Sequence, residues 1–187
     1  MRRLSVWAIC LFVVGSASAQ KISGSISPLK SQKEVNVVLD FSGTLVNGKS
    51  EEKYIAESTK SKNQTEKAKW MKEWNEDLRS QAYSMLTNDL NKHLKASFKV
   101  GNYPDAEYTM HIKVKEIKTG IALVTNSSVK ANVRVIKKGG SVPIATVDYK
   151  KSTSKISGNV PYFVTRTVMS FGKLGDDIAK TVNKNLK

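Results

Sequence analysis

Tyr108-Thr109-Met110-His111-Ile112-Lys113-Val114-Lys115 is the stretch that decides the fold. Within the run from Glu107 to Ile117, apolar Tyr108, Met110, Ile112 and Val114 alternate with polar Thr109, His111, Lys113 and Lys115. A period of two sends successive side chains to opposite sides of an extended chain, so this is a strand with one core face and one basic face. The run from Ser128 to Lys137 repeats the pattern, setting Val129, Ala131, Val133 and Val135 against Lys130, Asn132 and Arg134. Lys138-Gly139-Gly140-Ser141 then reads as a hairpin turn, and a return strand runs from Val142 to about Ser152. Pro143 near its start lacks a donor for a ladder, which points to an edge position.

Upstream, Glu34 to Phe41 alternates in the same way, with Val35, Val37, Leu39 and Phe41 on one face. Between these strands the period changes. From Thr65 to about Lys95, Trp70, Trp74, Leu78, Ala82, Met85, Leu86, Leu90 and Leu94 advance by threes and fours, the signature of an amphipathic helix that Thr65 can cap. A second helix is expected from about Tyr162 to Leu186, with Val164, Val168, Phe171, Leu174, Ile178, Val182 and Leu186 as its stripe and Gly172 and Gly175 as weak points. Phe98-Lys99-Val100 starts a further extended piece, broken at Gly101-Asn102-Tyr103-Pro104. The order predicts an α+β fold, β-α-β-β-β-α, in which a mixed sheet of about four strands carries two helices on one face.

The rest of the chain is read around that domain, expected over residues 34–187. Residues 42–64 form a polar insertion with Asn47-Gly48 as a turn, and Glu57 to Gln64, without core-forming residues, is expected to be mobile. Residues 20–33, rich in Ser, Lys and Gly, are expected to be a flexible lead-in. Residues 1–19 have the pattern of a cleaved signal peptide: Arg2 and Arg3, an apolar run from Leu4 to Val14, then Ala17 and Ala19 before the cut. That run is too short for a bilayer, which needs about 20 residues. Cys10, the single cysteine, lies inside the run, so the processed chain has neither a disulfide nor a thiolate metal site. Removing 19 residues and their two arginines takes the chain from 187 residues and net +15 to 168 and +13. The expected location is the periplasm or the outer-membrane surface, or the medium after secretion.

Several short stretches resemble a group of bacterial envelope modules. Val37-Val38-Leu39-Asp40-Phe41 is similar to their "A-V-L-D-F" first strand. Leu86-Thr87-Asn88-Asp89-Leu90 through Phe98-Lys99-Val100 is similar to their first helix running into "F-x-V". Asp105-Ala106-Glu107-Tyr108 resembles their "A-D-Y" lead into the next strand, and Val129 to Val147 resembles their central hairpin. The group includes the N-terminal domain of TolB and the periplasmic domain of the curli secretion protein CsgG. The resemblance implies a small α+β fold, an envelope location and no catalytic residues. The chain has no β-propeller and no pair of long amphipathic hairpins, so neither TolB's role nor a secretion channel is implied.

Candidate chemistry is sparse. His93 and His111 lack metal-binding spacing, and no cofactor is expected. Glu73, Glu76 and Asp77 are interleaved with Lys69, Lys72 and Arg79, which reads as a solvated ion-pair face rather than an acid–base pair. Ser58-Thr59-Lys60-Ser61-Lys62 lies in the polar insertion, where nothing desolvates the lysines for catalysis. Trp70 and Trp74, four apart, read first as the large end of a core ridge and second as an anchor for a ligand or partner, with Tyr103 and Tyr108 as possible neighbours. Lys113, Lys115, Lys130 and Arg134 are expected to share the uncovered sheet face with His111 and Asn132, and Lys137 and Lys138 extend the charge. Such a face attracts anions over long range. The sequence therefore predicts a non-enzymatic exported module that binds an envelope protein or an anionic envelope component through this face or the polar insertion. The alternatives are a small-ligand carrier or sensor with a pocket between sheet and helices near Trp70 and Trp74, and a hydrolase of an envelope polymer. Nucleic acid is disfavoured: export removes the chain from it, and the basic face has no aromatic ladder.

Overall fold

The computed structural model describes residues 22–121, 125–153 and 163–186. In chain order they form β1 (Ile22–Gly24), a 3-10 turn (Ser27–Ser31), β2 (Glu34–Asp40), β3 (Leu45–Val46), β4 (Lys49–Ser50), α1 (Glu51–Thr59), α2 (Gln64–Lys72), a π turn (Glu73–Asp77), α3 (Leu78–His93), β5 (Lys99–Gly101), β6 (Tyr108–Lys118), β7 (Ser128–Lys137), β8 (Pro143–Thr153) and α4 (Phe163–Asn185). The class is α+β. Among the described residues the sheet has eight strands rather than about four, along the path β1-β8-β7-β6-β2-β5 with β3 and β4 to its side, and one further helix, α1, accompanies the two expected, the first of which runs through α2, the π turn and α3.

β6, β7 and β8, strands that the alternation predicts, form an antiparallel meander. β2 lies parallel to both β6 and β5. β3 pairs with β6 at Glu116 and Ile117, past the end of β2, so the two short pieces share one side of β6. A bulge between Val114 and Glu116 resets the alternation so that Ile117 is buried again. There the buried Thr44 hydroxyl donates to the Val114 carbonyl at 2.9 Å.

α3 and α4 cover one face of the sheet. Ala82, Leu86 and Leu90 from α3 and Phe171, Leu174, Ile178 and Val182 from α4 meet Val35, Met110, Ile112, Val133, Val147 and Tyr149 in the main core. Each large aliphatic side chain fully buried there contributes about 1.5–3 kcal/mol. Gly172 and Gly175 do not weaken α4; they let it cross α3 closely. A Cβ on Gly175 would sit 2.4 Å from the Leu86 carbonyl oxygen and 3.0 Å from the Leu90 nitrogen.

Four further expectations are corrected. Residues 22–33 are not a free lead-in: β1 pairs with β8, and Ile26 and Leu29 are buried in the main core. Apolar side chains spaced among serines and lysines were enough to dock the segment. The insertion at 42–64 is folded, and within it 57–64, the part expected to be mobile, ends α1 and opens α2. Asn47 and Gly48, both at positive φ, turn β3 into β4, and the Ser50 hydroxyl caps α1. Pro143 does not mark the sheet edge, because β1 lies outside β8; its missing donor is harmless because β1 covers only Ala145 to Val147. The cap of the long helix is Asn63, in a capping box with Glu66, rather than Thr65. The expected leader, most of the loop from Ser152 to Gly158 and the first residue of the expected last helix lie outside the described residues.

Candidate functional site

The sheet face opposite α3 and α4 is built from rows of cross-strand neighbours. One row is Val38, His111, Arg134 and Thr146; the next is Asp40, Lys113, Asn132 and Asp148. Lys130 lies across from Glu116. Lys113, Lys115, Lys130 and Arg134 thus share this face, but three of them already hold a carboxylate. Lys113 pairs with Asp40 at 3.0 Å, Lys115 with Asp148 at 2.8 Å, and Lys130 with Glu116. Asn132 donates a second bond to Asp148 at 3.0 Å. Lys137 and Lys138 pair with Glu107 and Asp105. The face is therefore a lattice of alternating charge more than a positive plate.

Arg134 is the exception. Among the described residues no carboxylate pairs with it, and its buried Nε has no hydrogen-bond partner. His111 stands across from it, with its buried Nδ1 equally unpartnered and its Nε2 3.7 Å from Asp40. Desolvation lowers the His111 pKa, and the nearby Arg134 and Lys113 cations add to this against the pull of Asp40. For Asp40 the largest influence is desolvation, which raises its pKa. Hydrogen bonds from the Ser42 hydroxyl and amide and from Lys113 outweigh it and hold the carboxyl at about 2.

Trp70 and Trp74 stack with centroids 5.6 Å apart and planes 5° from parallel. Phe163 stacks on Trp70 at 5.6 Å, and Tyr54 tilts against Trp74 at 5.1 Å. Trp74 is 1% exposed and belongs to a second core with Val46, Leu78, Val164 and Val168. Its indole N–H donates to Glu51 at 2.6 Å, and Arg79 reaches the same carboxylate oxygen at 2.7 Å. Arg79 thus leaves the ion-pair face expected with Glu73, Glu76 and Asp77. Tyr54 and Phe163 take the places considered for Tyr103 and Tyr108; Tyr108 is in the main core.

A different basic surface escaped sequence reasoning. An open concavity of about 720 Å³ is lined by Lys30, His93, Lys95, Asp176, Lys180 and Lys184, with Ser97 and Asn183 among its other groups. Asn183 holds its wall together, donating to the His93 carbonyl at 2.9 Å and accepting from the Lys95 amide at 2.8 Å. Lys180 pairs with Asp176 at 2.7 Å. The contributing segments are far apart in the chain, and only the four-residue spacing of Lys180 and Lys184 was legible beforehand. Among the described residues no group of three His, Cys, Asp or Glu side chains could hold a metal ion, and no helix is long and apolar enough to cross a membrane.

No family model matches the chain, and comparison with curated proteins gives no match. Among solved structures, the chain is similar to the PelC dodecamer from Paraburkholderia phytofirmans at 11% identity and a TM-score of 0.47, over 85% of this chain and 97% of that one. A point variant of the same PelC in a second crystal form gives 12% identity and a TM-score of 0.45, over 86% and 96%. These likenesses concern the chain trace alone.

Proposed function

We propose that this chain is an exported, non-enzymatic binding or assembly module of the bacterial cell envelope, resident in the periplasm, at the outer membrane or beyond it, and that it docks an acidic protein partner on its uncovered sheet face. The observation that carries the reading is Arg134. It sits across from His111 on that face and, among the described residues, has no carboxylate, while Lys113, Lys115 and Lys130 each have one. A partner carboxylate over Arg134 completes the alternation, and the fixed pairs around it set the register; charge matching of this kind gives specificity and speed of encounter more than raw affinity. The Arg2-Arg3 and Leu4 to Val14 pattern supports export. The alternative, a ligand pocket beside Trp70 and Trp74, has less support, because Trp74 is fully buried and the ring stack fills its surroundings.

The test is retention of the processed chain on immobilised poly-glutamate and on envelope fractions, across a salt series. Arg134→Gln should weaken retention about tenfold, the scale of one charge-assisted contact of about 1.5 kcal/mol. Lys115→Gln, whose cation is already paired, should change it less than threefold. Equal retention for the wild type and the combined Lys113, Lys115, Lys130 and Arg134 to Gln variant rejects the face.

A further inference from the structure

His111 brings to the uncovered sheet face a group that ordinarily titrates near neutral pH, and its neighbours decide its charge. It lies directly across from Arg134, a pairing that puts the two Cβ atoms about 5 Å apart. Lys113 follows two residues later on the same strand and the same face. From β2, Asp40 comes within 3.7 Å of the ring Nε2, too far for a hydrogen bond. The Asp40 oxygens are already engaged. One accepts from the Ser42 amide at 2.8 Å and the Ser42 hydroxyl at 2.7 Å, and the other accepts from Lys113 at 3.0 Å. Thr146, the β8 member of the same row, is uncharged. An imidazolium at this position faces two cations and one anion that is already shared. The ring of the free chain therefore stays neutral to lower pH than an ordinary histidine, with desolvation as the largest cause.

A carboxylate seated on Arg134 changes two of these influences at once. It cancels the cation across from the ring, and it adds an anion within cross-strand reach. An opposite charge at about 4–6 Å favours the charged form of a titrating group about tenfold or more. Covering the ring acts the other way. The His111 side chain is already only 24% exposed, however, so little hydration is left to lose, and the anion prevails. Resting on the Arg134 docking reading, we infer that docking of the acidic partner on this face is coupled to uptake of a proton by His111, so that the partner binds more tightly as the pH falls. The sign follows from linkage. The complex holds the proton more firmly than the free chain, so affinity is level above the pKa of the complex, rises between the two pKa values and levels again below that of the free chain.

The test is calorimetric titration of the processed chain with poly-aspartate, whose carboxylates stay ionised from about pH 7 to about pH 5.5. Over that interval the wild type should gain about threefold or more in affinity. At an intermediate pH, two buffers of different ionisation heat should report net proton uptake. His111→Gln and His111→Thr should each abolish the gain and the uptake. His93→Gln, which removes the other histidine in the chain, should keep both. Circular dichroism melts at the two pH values check that every variant is folded, and the uptake measured on the wild type needs no variant at all. Proton release, an affinity indifferent to pH, or a gain that survives in both His111 variants overturns the coupling. So does an equal loss of the gain in His93→Gln, which would mean diffuse attraction by net charge. Docking that Arg134→Gln weakens but pH leaves unchanged overturns the coupling alone; docking that Arg134→Gln leaves unchanged overturns the coupling and the reading beneath it.

Discussion

At the scale of single residues, Gly175 shows how a sequence signal can be seen and misread. Glycine in a helix interior ordinarily costs about 1 kcal/mol relative to alanine, so two of them look like weaknesses. Here the missing Cβ is the space into which the α3 backbone fits, and Leu86 supplies a carbonyl that cannot move without breaking its own helix. Gly175→Ala should therefore destabilise the protein by about 1–3 kcal/mol despite the better helix propensity of alanine, as measured by thermal or urea unfolding. Gly172→Ala should cost less, because its obstacles are the Asp89 carboxylate and the Met85 side chain, which can swing away. Equal effects at the two positions would contradict the close-crossing account. The alternation of Lys113, Lys115, Lys130 and Arg134 was legible to the residue; their carboxylate partners were not, because Asp40, Glu116 and Asp148 come from three different strands.

The elements show a regularity that the helical period alone does not explain. Trp70, Trp74, Leu78, Ala82, Leu86, Leu90 and Leu94 are spaced by four throughout. An α-helix turns about 100° per residue, so each step of four overshoots by about 40°, and Trp70 would drift about 160° from Leu86. The π turn, in which the Leu78 amide bonds to the Glu73 carbonyl, takes back about one residue of twist. That returns the tryptophans to the side on which Leu78 and Ala82 are buried, where Tyr54 and Phe163 meet them. Deleting the exposed Asn75 should convert the turn to regular α-helix and swing Trp70 about 100° away from the stack. The expected readout is loss of the near-ultraviolet dichroism of the stacked indoles with far-ultraviolet signal retained; an unchanged aromatic spectrum would sink the account. The wide turn was not legible from the residues, because a spacing of four fits either kind of helix. The insertion at 42–64 was misjudged for a related reason: Tyr54 and Ile55 are too few to form a core alone and become structure only against Trp70 and Trp74.

For the whole molecule, the distribution of charge governs the pH response. His111 has a lowered pKa in the folded protein against an ordinary value of 6.5, so the unfolded chain binds its proton first as pH falls. The contribution of His111 to stability should be constant above about pH 6.5, decline below it, and level off under the folded pKa. His111→Gln should flatten that decline in urea unfolding curves taken at successive pH values; Asp40, held at about 2, titrates too low to contribute there. A decline that persists in the variant would assign the effect elsewhere. The sequence by itself determined what depends on short-range period: the strands β2, β6, β7 and β8, the helical course from α2 through α3, α4, the Asn47-Gly48 turn, and the α+β class. Only the tertiary structure decided where β1 and the segment to Ser31 dock, how Asn36, Asn91 and Asn183 tie loops to their neighbours, which lysines are neutralised, and that Lys30, Lys95, Lys180 and Lys184 share one concavity. The physical reason is range. Backbone preference and amphipathic period act over a few residues and are written in order along the chain, whereas charge pairing and cavity lining depend on distances in space between segments that the order does not relate.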